Sequence, residues 1–291
     1  MPFRRPTAAL VPSPEVVLPE GHTIHRLARD LDRLFTGSVV RAGALQDRFA
    51  AGAATLDGGT VVGTDAWGKH LFMAVEPAGR PDRGSAPVWL HVHLGLYGRF
   101  TLGTGEAPPA TGALRLRLES EDGWADLRGA IASELLDDDQ RAALIARLGE
   151  DPLQKRSDPL RPWAKISRSR VGIGALLMQQ EVLAGVGNVY RAEILFRQGI
   201  GPHRPGRSLA VEQWLQLWGD LEVLMRAGVR AGRIVTTRPV DRSRATGRAS
   251  RADSFYVYRR TGLPCRLCGQ PVRAELLAGR NLYWCPTDQP D

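Results

Sequence analysis

The hydrophobic period of this chain changes three times, and those changes limit the folds open to it. Ile24, Leu27, Leu31 and Leu34 recur at helical spacing, and Thr36-Gly37 ends the pattern. From Val39 to about Leu127 the period shortens to that of strands, with apolar runs over 39–41, 60–65, 70–75, 88–94, 99–102 and 114–118 separated by glycine turns. Short strands at regular spacing predict a β-sandwich. Asp137–Asp139 opens a helical region that runs to about Gly232, with helices expected over 175–180, 188–198 and 211–226. The tail, 255–291, is too short to bury its own core without a staple.

The expected fold class is therefore α+β and multidomain. A leading helix and an N-terminal β-sandwich occupy 19–136, a helical domain 137–240, an arginine- and serine-rich linker 241–254 and a hairpin 255–291. Residues 1–18 carry four prolines and no continuous apolar core, so they make a poor signal peptide. They read as a disordered extension or as sequence upstream of a mis-assigned start, because some leucine codons initiate translation and Leu18 stands just before Pro19. No apolar run reaches membrane-spanning length.

Charge is distributed unevenly. Residues 1–225 hold 26 basic and 26 acidic side chains, whereas 226–291 hold 13 arginines against five acids, the whole excess of +8. A basic region confined to one end suits a polyanion, nucleic acid ahead of a membrane surface. Arginine outnumbers lysine 36 to 3, so Lys69, Lys155 and Lys165 stand out.

The three cysteines fall together in the tail, which argues for a metal site in a reduced compartment rather than a disulfide framework. Cys265-x2-Cys268 and Cys285-x2-Asp288 are two knuckles that bring four donors into a tetrahedron, as a structural zinc requires. The fourth donor is carboxylate where sulfur is usual, which leaves open Asp288 or a water as the last ligand. Between the knuckles, Gly279-Arg280-Asn281 puts one guanidinium fork on a hairpin tip, a shape suited to gripping phosphate.

Other segments hold further candidates. Gly185-Val186-Gly187-Asn188 precedes a helix whose free amides favour an anion, with Asn188 placed to cap that helix or meet a phosphate. Trp67-Gly68-Lys69-His70 puts a lysine on a turn between strands. His91-Val92-His93 turns two histidines to one side of a strand, with no carboxylate or third histidine expected beside them, so hydrogen-bonded histidines are the better reading than a metal site. Leu96-Tyr97 is an apolar pair on a turn, core if buried and a wedge for a base stack if exposed.

Taken together, Pro19-Glu20-Gly21, Gly68-Lys69-His70-Leu71, His93-x2-Leu96-Tyr97-Gly98, Asp126-Leu127-Arg128, Ala184-Gly185-Val186-Gly187-Asn188-Val189-Tyr190 and the final finger resemble one family over residues 19–291. It is the formamidopyrimidine-DNA glycosylase and endonuclease VIII family. Leu96-Tyr97, in place of a methionine, is similar to the bacterial endonuclease VIII branch.

The resemblance implies a β-sandwich, a helix–two-turn–helix domain and a zinc-finger hairpin, with DNA between the two lobes. It implies a bacterial, cytoplasmic and nucleoid-associated monomer that acts on double-stranded DNA carrying oxidised bases, chiefly pyrimidines, or abasic sites. Pro19 would be the nucleophile at C1′, which requires it to be the first residue of the mature chain, and Glu20 the general acid. Lys69 and Arg280 would hold phosphates beside the reacting sugar, with Asn188 assisting, and Arg128 would contact a strand. Leu96 and Tyr97 would fill the vacated stack. Gly95 stands where relatives often carry a polar side chain, which implies relaxed reading of the opposite base. Two other readings follow from the residues: a non-catalytic damaged-DNA binder if Pro19 is not the N-terminus, and a metallohydrolase built on His22, His25, His91 and His93.

Overall fold

The computed structural model describes residues 19–45, 47–79 and 86–290, so the extension at 1–18 lies outside the described residues. These residues form two compact units, 19–148 and 149–290.

The first unit is the β-sandwich with its leading helix. Helix α1, Gly21–Phe35, lays Ile24, Leu27, Ala28, Leu31 and Phe35 into the core on one stripe. Eight strands follow: β1 (Arg41–Gly43), β2 (Thr60–Trp67), β3 (His70–Glu76), β4 (Val88–His93), β5 (Arg99–Thr104), β6 (Leu114–Glu119), β7 (Gly123–Arg128) and β8 (Ala132–Leu136). They make two four-stranded antiparallel sheets, ordered β2-β3-β4-β8 and β1-β6-β7-β5. Strict alternation decides which face of β6 is inside: Leu114, Leu116 and Leu118 are buried between half-exposed Arg115 and Arg117. Leu71, Met73, Leu90 and Val92 line the core side of the other sheet.

Three elements here go beyond the sequence-based expectation. Helix α2, Ala50–Leu56, is alanine- and glycine-rich, and strands β7 and β8 fall largely in sequence without a clear strand period. The far face of the β2-β3-β4-β8 sheet is also occupied. Helix α3, Asp138–Ala146, opens on a capping box between Asp137 and Gln140. From α3, Arg141 lays its guanidinium over Trp89 at 4.2 Å and Phe72 at 5.1 Å while pairing with Asp65.

The second unit holds helices α4 (Leu160–Ile166), α5 (Ile173–Leu176), α6 (Asn188–Arg197) and α7 (Val211–Ala231), then the hairpin β9 (Arg273–Leu277) and β10 (Arg280–Trp284). Helix α5 is a single turn starting two residues earlier than expected. Every residue of α6 from Asn188 to Phe196 is buried, as is fitting for a helix wrapped on all sides. Helix α7 stops at Gly232, whose φ of 68° is the left-handed cap that glycine takes without strain.

Two features tie the tail into this unit. Tyr258, Cys265, Val272, Tyr283 and Cys285 belong to the same core as Trp214 and Leu221, so the hairpin is docked and not autonomous. Residues 237–254, expected as a linker, lack strands but are pinned. Asp253 accepts from the Ser243 hydroxyl at 2.5 Å and the Ser250 hydroxyl at 2.9 Å, and pairs with Arg266 at 3.2 Å. Those hydroxyls, with the Arg266 charge, hold its carboxyl down at about 2. No described helix is long and apolar enough to cross a membrane.

Candidate active site and nucleic-acid interface

In the sandwich unit the candidate centre starts at the head of α1. Pro19 is half-buried, and Glu20 is 1% exposed as the N-cap residue. The Glu20 carbonyl takes the first helical hydrogen bonds from Thr23 and Ile24, whereas its carboxylate makes no cap bond. The carboxylate is thus held at the positive end of the helix without capping it. His22 beside it is buried, and burial, with His25 nearby, pulls its pKa down to about 4, leaving it neutral at neutral pH.

Lys69 occupies a two-residue hairpin turn between β2 and β3, closed by the Trp67–His70 pair. Gly68 takes φ +60° there, the pattern of a primed turn with glycine first. The turn after β4 carries Leu96, half-buried, and Tyr97, 73% exposed. It is tightly wound: Gly98 donates to the Leu94 carbonyl at 3.0 Å, and a Cβ on Gly98 would lie 2.2 Å from that oxygen. The exposed Tyr97 fits the wedge reading. Sequence reading missed Ile131, 70% exposed, whose side chain lies over Gly95 and fills the space a larger residue would take there.

Arg128 is engaged within the protein. Its guanidinium donates to Asp126 at 2.8 Å and to the Thr111 carbonyl, and Arg117 grips the same carboxylate through two bonds of 2.7 and 2.8 Å. Burial raises the Asp126 pKa, but the two guanidinium groups more than offset it and leave the carboxyl below its usual range.

The histidine expectation needs correction. His91 has both a carboxylate and a third histidine beside it: Nδ1 lies 2.9 Å from Glu134 Oε1, and Nε2 lies 2.9 Å from His70 Nδ1. Glu134 sits on β8, paired with His91 across 43 residues, and that long-range register is not readable from the sequence. Among the described residues the one group with donor atoms close enough for a metal is the cysteine cluster, so the metallohydrolase reading has no site.

In the second unit the phosphate candidates converge. Gly187 caps α6 with no side chain over the first-turn amides. Asn188, though, is 7% exposed, and its amide neither caps nor points outward. It donates to the Asn281 carbonyl at 2.9 Å and accepts from Arg191, which also donates to that carbonyl at 3.4 Å. Asn188 therefore fastens the hairpin strand to the head of α6. At the tip, Ala278 and Gly279 both have positive φ, the two-residue turn that right-handed strand twist favours. Arg280 follows, half-exposed, with no side-chain hydrogen bond among the described residues.

The donors of Cys265, Cys268, Cys285 and Asp288 all lie within 4.8 Å of one another. Burial and the adjacent carboxylate push the Cys265 thiol up to about 12, and burial raises Cys285 as well. Such a donor set holds its charge only around a cation, and three sulfurs with one oxygen fit a structural zinc. Replacing Asp288 with cysteine is expected to slow zinc transfer to a colorimetric chelator by on the order of tenfold. Asp288→Ala should speed it, and unchanged release in both variants would remove Asp288 from the ligand set.

A β-sandwich, a buried carboxylate at a helix head, and a zinc hairpin that presents one bare arginine together define a DNA-processing class of protein. Family models match nearly the whole chain in that order: the formamidopyrimidine-DNA glycosylase N-terminal domain over residues 18–130, its H2TH domain over 148–239 and the zinc finger found in FPG and IleRS over 262–290. Endonuclease 8 1 of Mycobacterium tuberculosis is 45% identical over 276 residues, 94% of this chain and 100% of that protein. Formamidopyrimidine-DNA glycosylase of Thermus thermophilus is 30% identical over 94% of this chain and 98% of its own. The crystal structure of the MutM (Fpg) protein from Thermus thermophilus superposes with a TM-score of 0.72 at 29% identity, covering 94% of this chain and 99% of that one. A Lactococcus lactis Fpg solved on DNA containing an AP site shares the fold, with a TM-score of 0.75 at 22% identity over 94% and 100% of the two chains. The chain belongs to the formamidopyrimidine-DNA glycosylase and endonuclease VIII family, the DNA glycosylases of DNA repair.

Proposed function

We infer that this protein is a bifunctional glycosylase and abasic-site lyase that removes oxidised bases, pyrimidines above all, from double-stranded DNA. The observation that carries the reading is the buried Glu20 carboxylate at the head of α1 with Pro19 directly before it. Two findings support a mature chain that starts at Pro19. The family model begins at residue 18, and the whole mycobacterial relative is matched by 94% of this chain.

The chemistry follows from a free secondary amine. An α-amino group titrates near about pH 8, so an appreciable fraction is unprotonated at neutrality. With the damaged nucleotide flipped out of the duplex, the Pro19 nitrogen attacks C1′. Glu20 delivers a proton to the sugar, and the base departs with the glycosidic electron pair. The resulting iminium accepts electrons when a C2′ proton is removed, so the 3′ phosphate leaves by β-elimination and the 5′ phosphate by δ-elimination. Hydrolysis then frees Pro19.

Lys69 holds a phosphate beside the sugar, and Arg280 clamps the flanking phosphates. Asn188 serves by fixing the strand that carries Arg280. Arg128, held by Asp126, offers its outer edge to a strand, and Leu96 and Tyr97 fill the vacated stack. The domains retain the division 19–136, 137–240, 241–254 and 255–291, and the enzyme acts as a monomer in the bacterial cytoplasm.

Sodium borohydride tests the reading. Protein starting at Pro19 should form a covalent adduct with abasic-site DNA, and protein retaining residues 1–18 should form none. Equal trapping by both would take the nucleophile away from Pro19.

A further inference from the structure

The far face of the β2-β3-β4-β8 sheet carries a row of rings that the chemistry above leaves unused. Phe72 and His91 stack with centroids 5.2 Å apart, His91 and His70 at 5.1 Å, and His70 and His93 at 4.9 Å. Strand register puts them on one face, since His70 pairs with His93, Phe72 with His91, and His91 with Glu134. Lys69 ends the row at its turn, and helix α3 covers the opposite end through Arg141.

Hydrogen-bond chemistry fixes the protons along this row. An ionised carboxylate only accepts, so His91 Nδ1 carries a hydrogen toward Glu134. A neutral His91 then has a bare Nε2, which must accept from His70 Nδ1. His70 is left with a bare Nε2 in the field of Lys69, Arg147 and His93, the charged and titratable groups that act on it besides His91. Burial is the main cause that lowers the pKa of all three histidines, His70 to about 3, so the row stays uncharged at neutral pH.

We propose that Glu134, His91 and His70 form a tautomer relay that makes His70 a hydrogen-bond acceptor for Lys69, and so a positioning residue for strand cleavage. The inference rests on the assignment of Lys69 to the reaction. It differs from the phosphate contacts already described because it names what orients the lysine, not what the lysine holds.

The chain's composition makes the test direct. With six histidines and three lysines, nitrogen-labelled histidine and Cε-labelled lysine spectra of the whole protein are assignable by substitution. His91 and His70 should both show the Nδ1–H tautomer. In Glu134→Ala, a half-exposed edge position, and in His91→Phe, which keeps the ring stack, the Lys69 titration should move by about half a pH unit while Lys155 and Lys165 stay put.

Single-turnover cleavage of abasic DNA should fall about tenfold in both variants, with affinity for a non-cleavable abasic analogue unchanged. His91→Gln, whose amide donates to Glu134 and accepts from His70, should recover most of the rate. An unmoved Lys69 titration, an Nε2–H tautomer at His70, or a loss confined to DNA affinity would each overturn the relay. If the parent protein itself formed no adduct with abasic DNA, the lyase reading would fail, and the two spectra would still decide the relay.

Discussion

Glu20→Gln is expected to lower base removal by about 10³-fold, the scale of a lost general acid. Glutamine matches glutamate in shape, so a side chain that is 1% exposed can be exchanged without opening a cavity at the head of α1. What disappears is the proton that the departing base requires. A preformed abasic site has no base to expel, and attack by the Pro19 amine on its aldehyde needs no such proton, so borohydride trapping there should survive. The measurement is single-turnover base release from an oxidised-pyrimidine duplex beside trapping on abasic DNA, both with protein that starts at Pro19. Intact base release would sink the mechanism. Equal loss of both activities together with DNA binding would instead mean that the variant no longer folds properly.

That prediction draws on residues whose placement is readable without coordinates. The Ile24–Leu34 stripe fixes α1, and with it the position of Glu20, because a period of 3.6 leaves one burial face. Trp67-Gly68-Lys69-His70 announces a two-residue turn, and the Trp67–His70 pair is where that turn requires it. The cysteine knuckles specify their own closure. Features set by distant partners are not readable in this way. Strand β7 escapes notice because Asp126 interrupts its apolar alternation, and Asp126 is buried only because Arg117 and Arg128 neutralise it. Strand β8 has no fully buried residue, so its periodicity is faint. Asn188 carries the right chemistry for a phosphate, yet a carbonyl 93 residues further on takes its amide. His91 reads as a lone core histidine until strand pairing puts Glu134 beside it.

Glu193 is the clearest case of such a distant partner, and its replacement is expected to be the most destabilising single change in the second unit. The side chain is fully buried in α6. Its Oε1 accepts from the backbone amides of Val257 and Tyr258 at 2.8 Å each, and its Oε2 accepts from the Tyr256 amide at 2.8 Å and from the Thr236 hydroxyl. Burial pushes its carboxyl above the usual range, against the pull of those four donors. Glutamine has one acceptor oxygen where two are used, and it would turn an NH2 group against backbone amides that already donate. Glu193→Gln should therefore cost about 3–5 kcal/mol, the range for breaking a buried charged network, and lower the melting temperature by roughly 10 °C. The loss should spread along the chain. Residues 256–258 lead directly into the zinc hairpin, where Tyr258 packs on Tyr283 with ring centroids 5.3 Å apart. Freed from Glu193, that segment should be cut by trypsin at Arg259 or Arg260 before the rest of the unit, and Arg280 should lose its fixed place for phosphate. DNA affinity should then fall while the sandwich unit keeps its own thermal transition. A Glu193→Gln protein that melts with the parent and resists trypsin equally well would mean that zinc and hydrophobic packing alone hold the hairpin in place.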